Sequence, residues 1–249
     1  ANSSSIDTGA KITSTAFTVE MWLNPTSIES GDNVVFAQDI GGDKGRFNIV
    51  PRGNGTLFAQ VGDNSFAPSC SLAAGEWTHI AFVRNERGEA RLWVNGAPLT
   101  NWTLFNTNAL AASDIVLGRQ HRNKGTGFNG LMSDVRVWSV ARGEDEIVAD
   151  MGRRLGGRET GLVSYFRLDE GGENPPRDAV RAVAGAFVNG ACWAHDATFP
   201  DRMARIVDAR KERALEKAVA ERIADLALVP PRINVNPLPD YDYDRLDYA

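Results

Sequence analysis

The sequence predicts an all-β chain: an antiparallel β-sandwich followed by a C-terminal α-helix and an extended tail. Three observations carry that prediction. Apolar and polar residues alternate with a spacing of two in one stretch after another. Gly, Pro and Asn clusters separate those stretches at short intervals. Up to about residue 197, a helical pattern is confined to one short segment after Gly143, so most strands must connect directly to strands.

The first strand signal is Phe17 to Leu23, where Phe17, Val19, Met21 and Leu23 alternate with Thr18, Glu20 and Trp22 before Pro25 ends the run. Asn33 to Ala37 follows, then the loop Asp39-Ile-Gly-Gly-Asp-Lys-Gly45. Arg46 to Val50 and Thr56 to Val61 form a hairpin around Gly53-Asn54-Gly55. Gly75-Glu-Trp-Thr-His-Ile-Ala-Phe-Val-Arg84 and Glu89-Ala-Arg-Leu-Trp-Val-Asn-Gly96 make a longer hairpin across a polar turn.

Ile115 to Gly118 is a further strand. From Leu131 to Val137 one parity carries Leu131, Ser133, Val135 and Val137, and the other Met132, Asp134, Arg136 and Trp138, which predicts a half-buried strand. Gly143 then breaks the chain, and Glu144, Asp145 and Glu146 suit the first turn of a helix.

After Pro200 the pattern changes. Residues Asp201 to Leu228 contain no Gly or Pro and are rich in good helix formers. Asp196 or Thr198 can cap this helix, and Pro230 and Pro231 stop it. Leu215, Val219, Ile223 and Leu226 form one apolar stripe, while Asp201/Arg205, Asp208/Lys211 and Lys217/Glu221 can pair on the surface. The last segment is rich in Pro, Asp and Tyr. Its Tyr241, Tyr243 and Tyr248 suit an extended arm that docks onto something. The expected organisation is a sandwich over 1–197, an amphipathic helix over 198–229 and an arm over 230–249.

Composition narrows the function. Hydrophobic residues make up 43% and charged residues 24% of the 249, as in ordinary globular proteins. A net charge of −5 offers no basic field for nucleic acid, and no apolar run approaches the ~20 residues of a membrane span. The polar start, Ala1 to Asp7, fits either a cleaved leader or a removed initiator Met. Cys70 and Cys192 are either two separate thiols or one cross-sheet disulfide, the latter implying an oxidising compartment.

Four motifs in order, spanning roughly residues 1–197, resemble the laminin-G-like and pentraxin-like domains of the concanavalin-A-like lectin/glucanase superfamily. They are Gly75–Val83 with Ala90–Gly96, the strand-aromatic-helix element Phe128–Ile147, and Gly161-Leu-Val-Ser-Tyr-Phe-Arg-Leu-Asp-Glu-Gly171. The resemblance implies a jelly roll, and a class of work that ranges from sugar binding to hydrolysis. Hydrolases of that superfamily carry a Glu-x-Asp-x-x-Glu pair of carboxylates on one strand. No strand here has that spacing: Glu20 and Asp134 each stand alone. His79, His121 and His195 are the only histidines and none completes a nucleophile motif, so the chain is expected not to be an enzyme.

The resemblance also brings in calcium, which needs 6–8 oxygen ligands. The loop Leu117-Gly-Arg-Gln-His-Arg122 places Arg122 where an acid would be needed, and Ser133 stands where many related domains have Asp. The remaining calcium candidates are Asp39 and Asp43, helped by Asp63; the plainer reading is a solvated glycine-rich turn. Trp22, Trp93 and Trp138 are expected to fill space beneath loops or the terminal helix. Trp102 lies on a loop and is the better ligand contact, with Gln120, His121 and Arg122 as further candidates. Asn2, Asn54 and Asn101 fit the glycosylation acceptor pattern.

Three functions fit. The leading one is a non-catalytic module binding a glycan or surface protein, held on a cell surface, oligomer or virus particle by its helix and arm, and so extracellular or surface-exposed. The second is a structural protein decorating or cementing a shell. The third is a divergent glycosidase whose carboxylates come from loops, and which would lose its activity on substitution of Glu20 or Asp134.

Overall fold

The structure, a computed structural model, describes residues 4–40, 45–120, 126–196, 199, 212–213 and 215–222. The chain divides into two compact units, residues 1–210 and 211–249. In the first unit the strands begin with β1 (Ser5–Asp7), β2 (Phe17–Ser27), β3 (Asn33–Val34), β4 (Phe36–Gln38) and β5 (Phe47–Arg52). They continue with β6 (Thr56–Val61), β7 (Asn64–Phe66), β8 (Thr78–Arg84), β9 (Glu89–Val94), β10 (Ala97–Pro98) and β11 (Thr103–Leu104). β12 (Val116–Leu117), β13 (Thr126–Gly127), β14 (Asn129–Trp138), helix α1 (Glu144–Met151), β15 (Leu162–Phe166) and β16 (Ala186–Val188) complete it.

Two antiparallel sheets form the sandwich. One has the order β16-β1-β12-β4-β5-β6-β7, the other β10-β9-β8-β2-β14-β15 with β11 added beside β9; β13 and β3 form a small parallel pair. Non-consecutive neighbours such as β1 and β12, or β2 and β14, are the long crossovers of a jelly roll. Between the sheets, Phe17, Phe36, Phe47 and Phe82 pack with ring centroids 4.8–5.7 Å apart. Phe17, Val19, Met21 and Leu23 all point into this core.

Alternation predicted half-buried strands, but β2 is buried on both faces from Phe17 to Pro25. The covering layer is α1 with the segments flanking it. The Trp22 indole donates to the Met151 carbonyl at 2.9 Å, and the Thr18 hydroxyl donates to the Val140 carbonyl at 2.8 Å. Gly143 N–H donates to Glu146 Oε2 at 2.8 Å, which fixes the start of α1.

A second correction concerns β14. The expected face of Leu131, Ser133, Val135 and Val137 is not continuous. Ser133 pairs with Trp22 and Arg136 with Glu20, so Asp134 and Val135 together oppose one residue of β2. Asp134 takes a positive φ of 52° at this bulge. Beyond it Val135 and Val137 face the core; before it Met132 faces the core and Leu131 packs against Trp22, Trp77 and Phe199 on the outer side.

In the second unit, residues 215–222 are helical. Lys217 and Glu221 form the expected i,i+4 pair at 3.9 Å. Leu215 and Val219 share one face and are 66% and 50% exposed. Ile223, Leu226, the pairs Asp201/Arg205 and Asp208/Lys211, and the arm with Tyr241, Tyr243 and Tyr248 lie outside the described residues. Among the described residues no helix is long and apolar enough to cross a membrane.

Candidate functional site

Two regions of the sandwich concentrate chemistry. The first is a buried charge cluster on the outer face of β2 and β14, under α1. Glu20 is 0% exposed. Its Oε1 accepts from the Trp138 indole at 2.7 Å and from Arg142 Nη1 at 3.1 Å, and lies 3.9 Å from Arg136 Nη1; His79 Nε2 stands 3.3 Å from Oε2. Burial alone would raise the Glu20 pKa. The His79 hydrogen bond and the charges of Arg136, His79 and Arg142 outweigh it and bring the pKa down to about 2. Arg142 continues to Asp150, whose Oδ1 also holds Arg153 Nε at 2.7 Å.

Asp134, 1% exposed, accepts from the Tyr165 hydroxyl and from Arg136 Nη2 at 3.4 Å, and pairs with Arg154 Nη1 at 3.3 Å. Burial, and then the Asp134 charge, push the Tyr165 pKa up. A carboxylate sealed from solvent cannot reach a glycosidic oxygen, and Glu20, held ionised, has no proton to give one. Glu20 and Asp134 therefore organise the layer beneath α1, and the glycosidase reading on these two residues has no geometric support.

The second region is a groove of about 820 Å³ between the β1/β12 side of one sheet and the start of β14 in the other. Phe187, residues 190–196 and Phe199 form one wall, because β16 returns to pair with β1. The Trp193 ring meets Phe187 edge-on with centroids 5.0 Å apart, and its indole donates to the Asn174 carbonyl at 2.8 Å. Asp196 Oδ2 accepts from the Trp77 indole at 2.8 Å and from Asn24 Nδ2 at 3.3 Å. Opposite, Arg154 Nη2 pairs with Asp169 Oδ2 at 3.4 Å. A groove lined by a half-buried indole, carboxylates and the Asn129 amide offers a surface on which a flat polyhydroxyl molecule can stack and hydrogen-bond.

The predicted site residues do not converge on this groove. Trp102 is 42% exposed in the β10–β11 connection, its ring 5.8 Å from the Arg91 guanidinium, which also lies over Trp93. Gln120 follows β12 on the other sheet, where its carbonyl accepts from Arg119 Nη1 at 3.2 Å. His121, Arg122 and Asp43 lie outside the described residues. Asp39 is buried, and Asp63 lines a separate pocket of about 320 Å³ with Gly45 and Asn106. Among the described residues no three His, Cys, Asp or Glu side chains gather as a metal site.

Trp22, Trp93 and Trp138 are buried, as expected for space-filling residues. Cys70 is half-buried and Cys192 exposed, and both are free thiols. Sequence reading missed the groove's own residues: Phe187, Trp193, Asp169 and Asp196. The available signal was Cys192-Trp-Ala-His-Asp196, an aromatic and two polar groups in a short stretch after the last strand motif.

Comparison with known proteins agrees with this architecture. No curated protein sequence matches the chain. Among solved structures, a candidate carbohydrate-binding protein from Bacteroides ovatus is similar with a TM-score of 0.59 and 21% identity, over 76% of this chain and 57% of that one. The chain thus spans less than two thirds of that protein. The CBM40 of the Ruminococcus gnavus IT-sialidase, bound to α2,3-sialyllactose, is similar with a TM-score of 0.50 and 12% identity over 60% of this chain and 93% of that one. The NanB sialidase of Streptococcus pneumoniae gives a TM-score of 0.50 and 17% identity over 66% of this chain and 29% of that one. At such identities the likeness is one of fold. A sequence profile for the concanavalin A-like lectin/glucanases superfamily, of laminin-G type, matches residues 1–148, more than half of the chain. With its two antiparallel sheets and jelly-roll crossovers, the chain belongs to the laminin-G-like domains of the concanavalin A-like lectin/glucanase superfamily.

Proposed function

We propose that this chain is a non-catalytic glycan-binding module whose ligand lies in the groove beside Trp193. The observation that carries this reading is the Trp193–Phe187 pair in a groove that Asp169 and Asp196 also line. An aromatic face covers the apolar C–H side of a sugar ring, while carboxylates accept from its hydroxyls. The fold shared with the Bacteroides ovatus protein and with the sialyllactose-bound CBM40 supports it. The test is a glycan array followed by calorimetry on the full chain. Saturable binding that Trp193→Ala abolishes, with an unchanged melting temperature, supports the reading; binding that ignores this substitution overturns it.

A second element of the proposal is attachment. Leu215 and Val219 on the 215–222 helix expose a stripe that an isolated helix has no reason to carry. We read residues 211–249 as the part that holds the sandwich on a larger assembly, at a cell or particle surface. A chain ended at Arg210 that sediments like the full chain, and is retained equally by that surface, would refute it.

A further inference from the structure

The groove is the open side of the sandwich, and its floor is made of residues that belong to the core. In the first sheet Leu117 of β12, Ile6 of β1 and Phe187 of β16 are register partners, so their side chains share one face. Leu117 is buried between the sheets, and the same row runs outward through Ile6 to Phe187, both half-buried, at the sheet's edge. From the β14 and β15 side, Phe128, Met132 and Leu168 are half-buried, pack against the core and line the groove. Trp193 meets the end of the row at Phe187. Leu168 has a φ of 60°, a left-handed backbone that an apolar L-residue adopts only when its surroundings impose it.

The polar side chains of the groove are paired within the protein. Asp196 accepts from the Trp77 indole at 2.8 Å and from Asn24 at 3.3 Å, and Asp169 pairs with Arg154 at 3.4 Å. The Trp193 indole donates to the Asn174 carbonyl, Asn129 gives its amide to Ser27 Oγ at 3.1 Å, and Ser5 Oγ accepts from Arg119 Nε at 2.7 Å. A sugar hydroxyl that joins these groups exchanges one hydrogen bond to water for another, and the net gain is small. Covering the half-exposed apolar floor gains in proportion to the area removed from water. At about 820 Å³ the groove is of the size that takes a drug-sized ligand, so a sugar ring stacked at Trp193 leaves that floor uncovered.

We infer that the groove takes an amphiphilic glycan: a sugar ring stacked at Trp193 and Phe187, carrying an alkyl, aryl or acyl group that seats on Ile6, Phe128, Met132 and Leu168. This rests on the groove being the glycan site, and it names which glycans the site prefers.

The experiment uses the full chain with methyl, phenyl and n-octyl β-lactosides, β-maltosides and β-cellobiosides, the methyl glycosides also as mono-O-butanoyl esters, and 1-octanol alone. All are kept below micelle-forming concentration, and Kd is read by calorimetry. A phenyl, octyl or butanoyl member should bind at least about tenfold tighter than its methyl parent, and tighter than 1-octanol. Which of the three gains most tells an aglycone from an acyl ester. Leu168→Asn suits the left-handed backbone but puts an amide in place of the apolar contact. It should cut the gain by about threefold or more and leave the methyl glycosides within about twofold. Met132→Gln should act in the same direction, and both variants should melt as cooperatively as the native chain.

Methyl glycosides as tight as their apolar counterparts, with Trp193→Ala abolishing both, would overturn the amphiphile and leave the groove as a glycan site. A gain untouched by Leu168→Asn and Met132→Gln, or 1-octanol as tight as the octyl glycosides, would also overturn it. Binding insensitive to Trp193→Ala, or no binding by any member, would overturn the groove reading and this inference with it.

Discussion

Trp138 donates its indole N–H to Glu20 at 2.7 Å across the outer face of the second sheet, directly under helix α1. The two residues are 118 positions apart in sequence. Their bond joins β2 to β14 on the side away from the main core, and it holds a carboxylate that two guanidinium groups and an imidazole also approach.

Replacing that carboxylate should be severe. Glu20→Gln keeps the shape but leaves Arg136 and Arg142 buried without their shared counter-charge, at a cost of about 3–5 kcal/mol. The check is the urea midpoint at pH 7, with the denaturant slope compared to confirm that the unfolded state is unchanged.

The same residue should shape the acid limb of stability. Its pKa falls from 4.5 to about 2 on folding, so its contribution is complete above about pH 4.5 and is lost as the pH drops toward 2. At 1.36 kcal/mol per pKa unit that contribution is roughly 3 kcal/mol. Stability measured from pH 6 to pH 2 should decline steeply in the native chain, and less steeply in Glu20→Gln.

Tyr165→Phe should cost about 1–3 kcal/mol, because it removes the hydroxyl that Asp134 accepts from at the bulge and leaves that buried oxygen under-bonded. Thermal unfolding reads it out. A change within about 0.5 kcal/mol would mean that Arg136 and Arg154 alone satisfy Asp134.

Gly130→Ala tests how closely β14 and β2 approach at the groove. A Cβ there would sit 2.4 Å from the Asn24 carbonyl oxygen and 2.7 Å from Pro25 Cα, both backbone atoms with no room to yield. A loss of about 1–3 kcal/mol is expected, together with weaker glycan binding, since Gly130 also lines the groove.

Trp193 and Trp102 offer a direct contest between the groove and the β9 edge. Trp193→Ala should weaken glycan binding by about tenfold or more, and Trp102→Ala should change it by less than about twofold. Titration of each variant decides it, and the reverse pattern would move the site to the exposed Trp102 ring beside Arg91.

Local spacing in the sequence determined the strands and hence the sandwich. Period-two apolar residues can be buried only by pairing in sheets, and glycine-rich turns such as Gly53-Asn54-Gly55 close the β5–β6 hairpin with no long-range information. Glu144, Asp145 and Glu146 likewise marked α1 through chemistry confined to one helical turn. The fate of the second face was not legible in that way. Glu20, Trp22 and Arg136 sit on the polar parity of their strands, and only α1 folding over them turns that parity into a buried layer.

The bulge at Asp134 could not be read from alternation either, because alternation assumes the continuity that a bulge breaks. The groove is the clearest case. Asp196 reaches Trp77, and Trp193 reaches the Asn174 carbonyl, only because β16 returns to pair with β1, the end of the described sandwich meeting its beginning. Local periodicity is written in neighbouring residues, whereas a binding wall is made by strands far apart in sequence, so its position belongs to the tertiary structure alone.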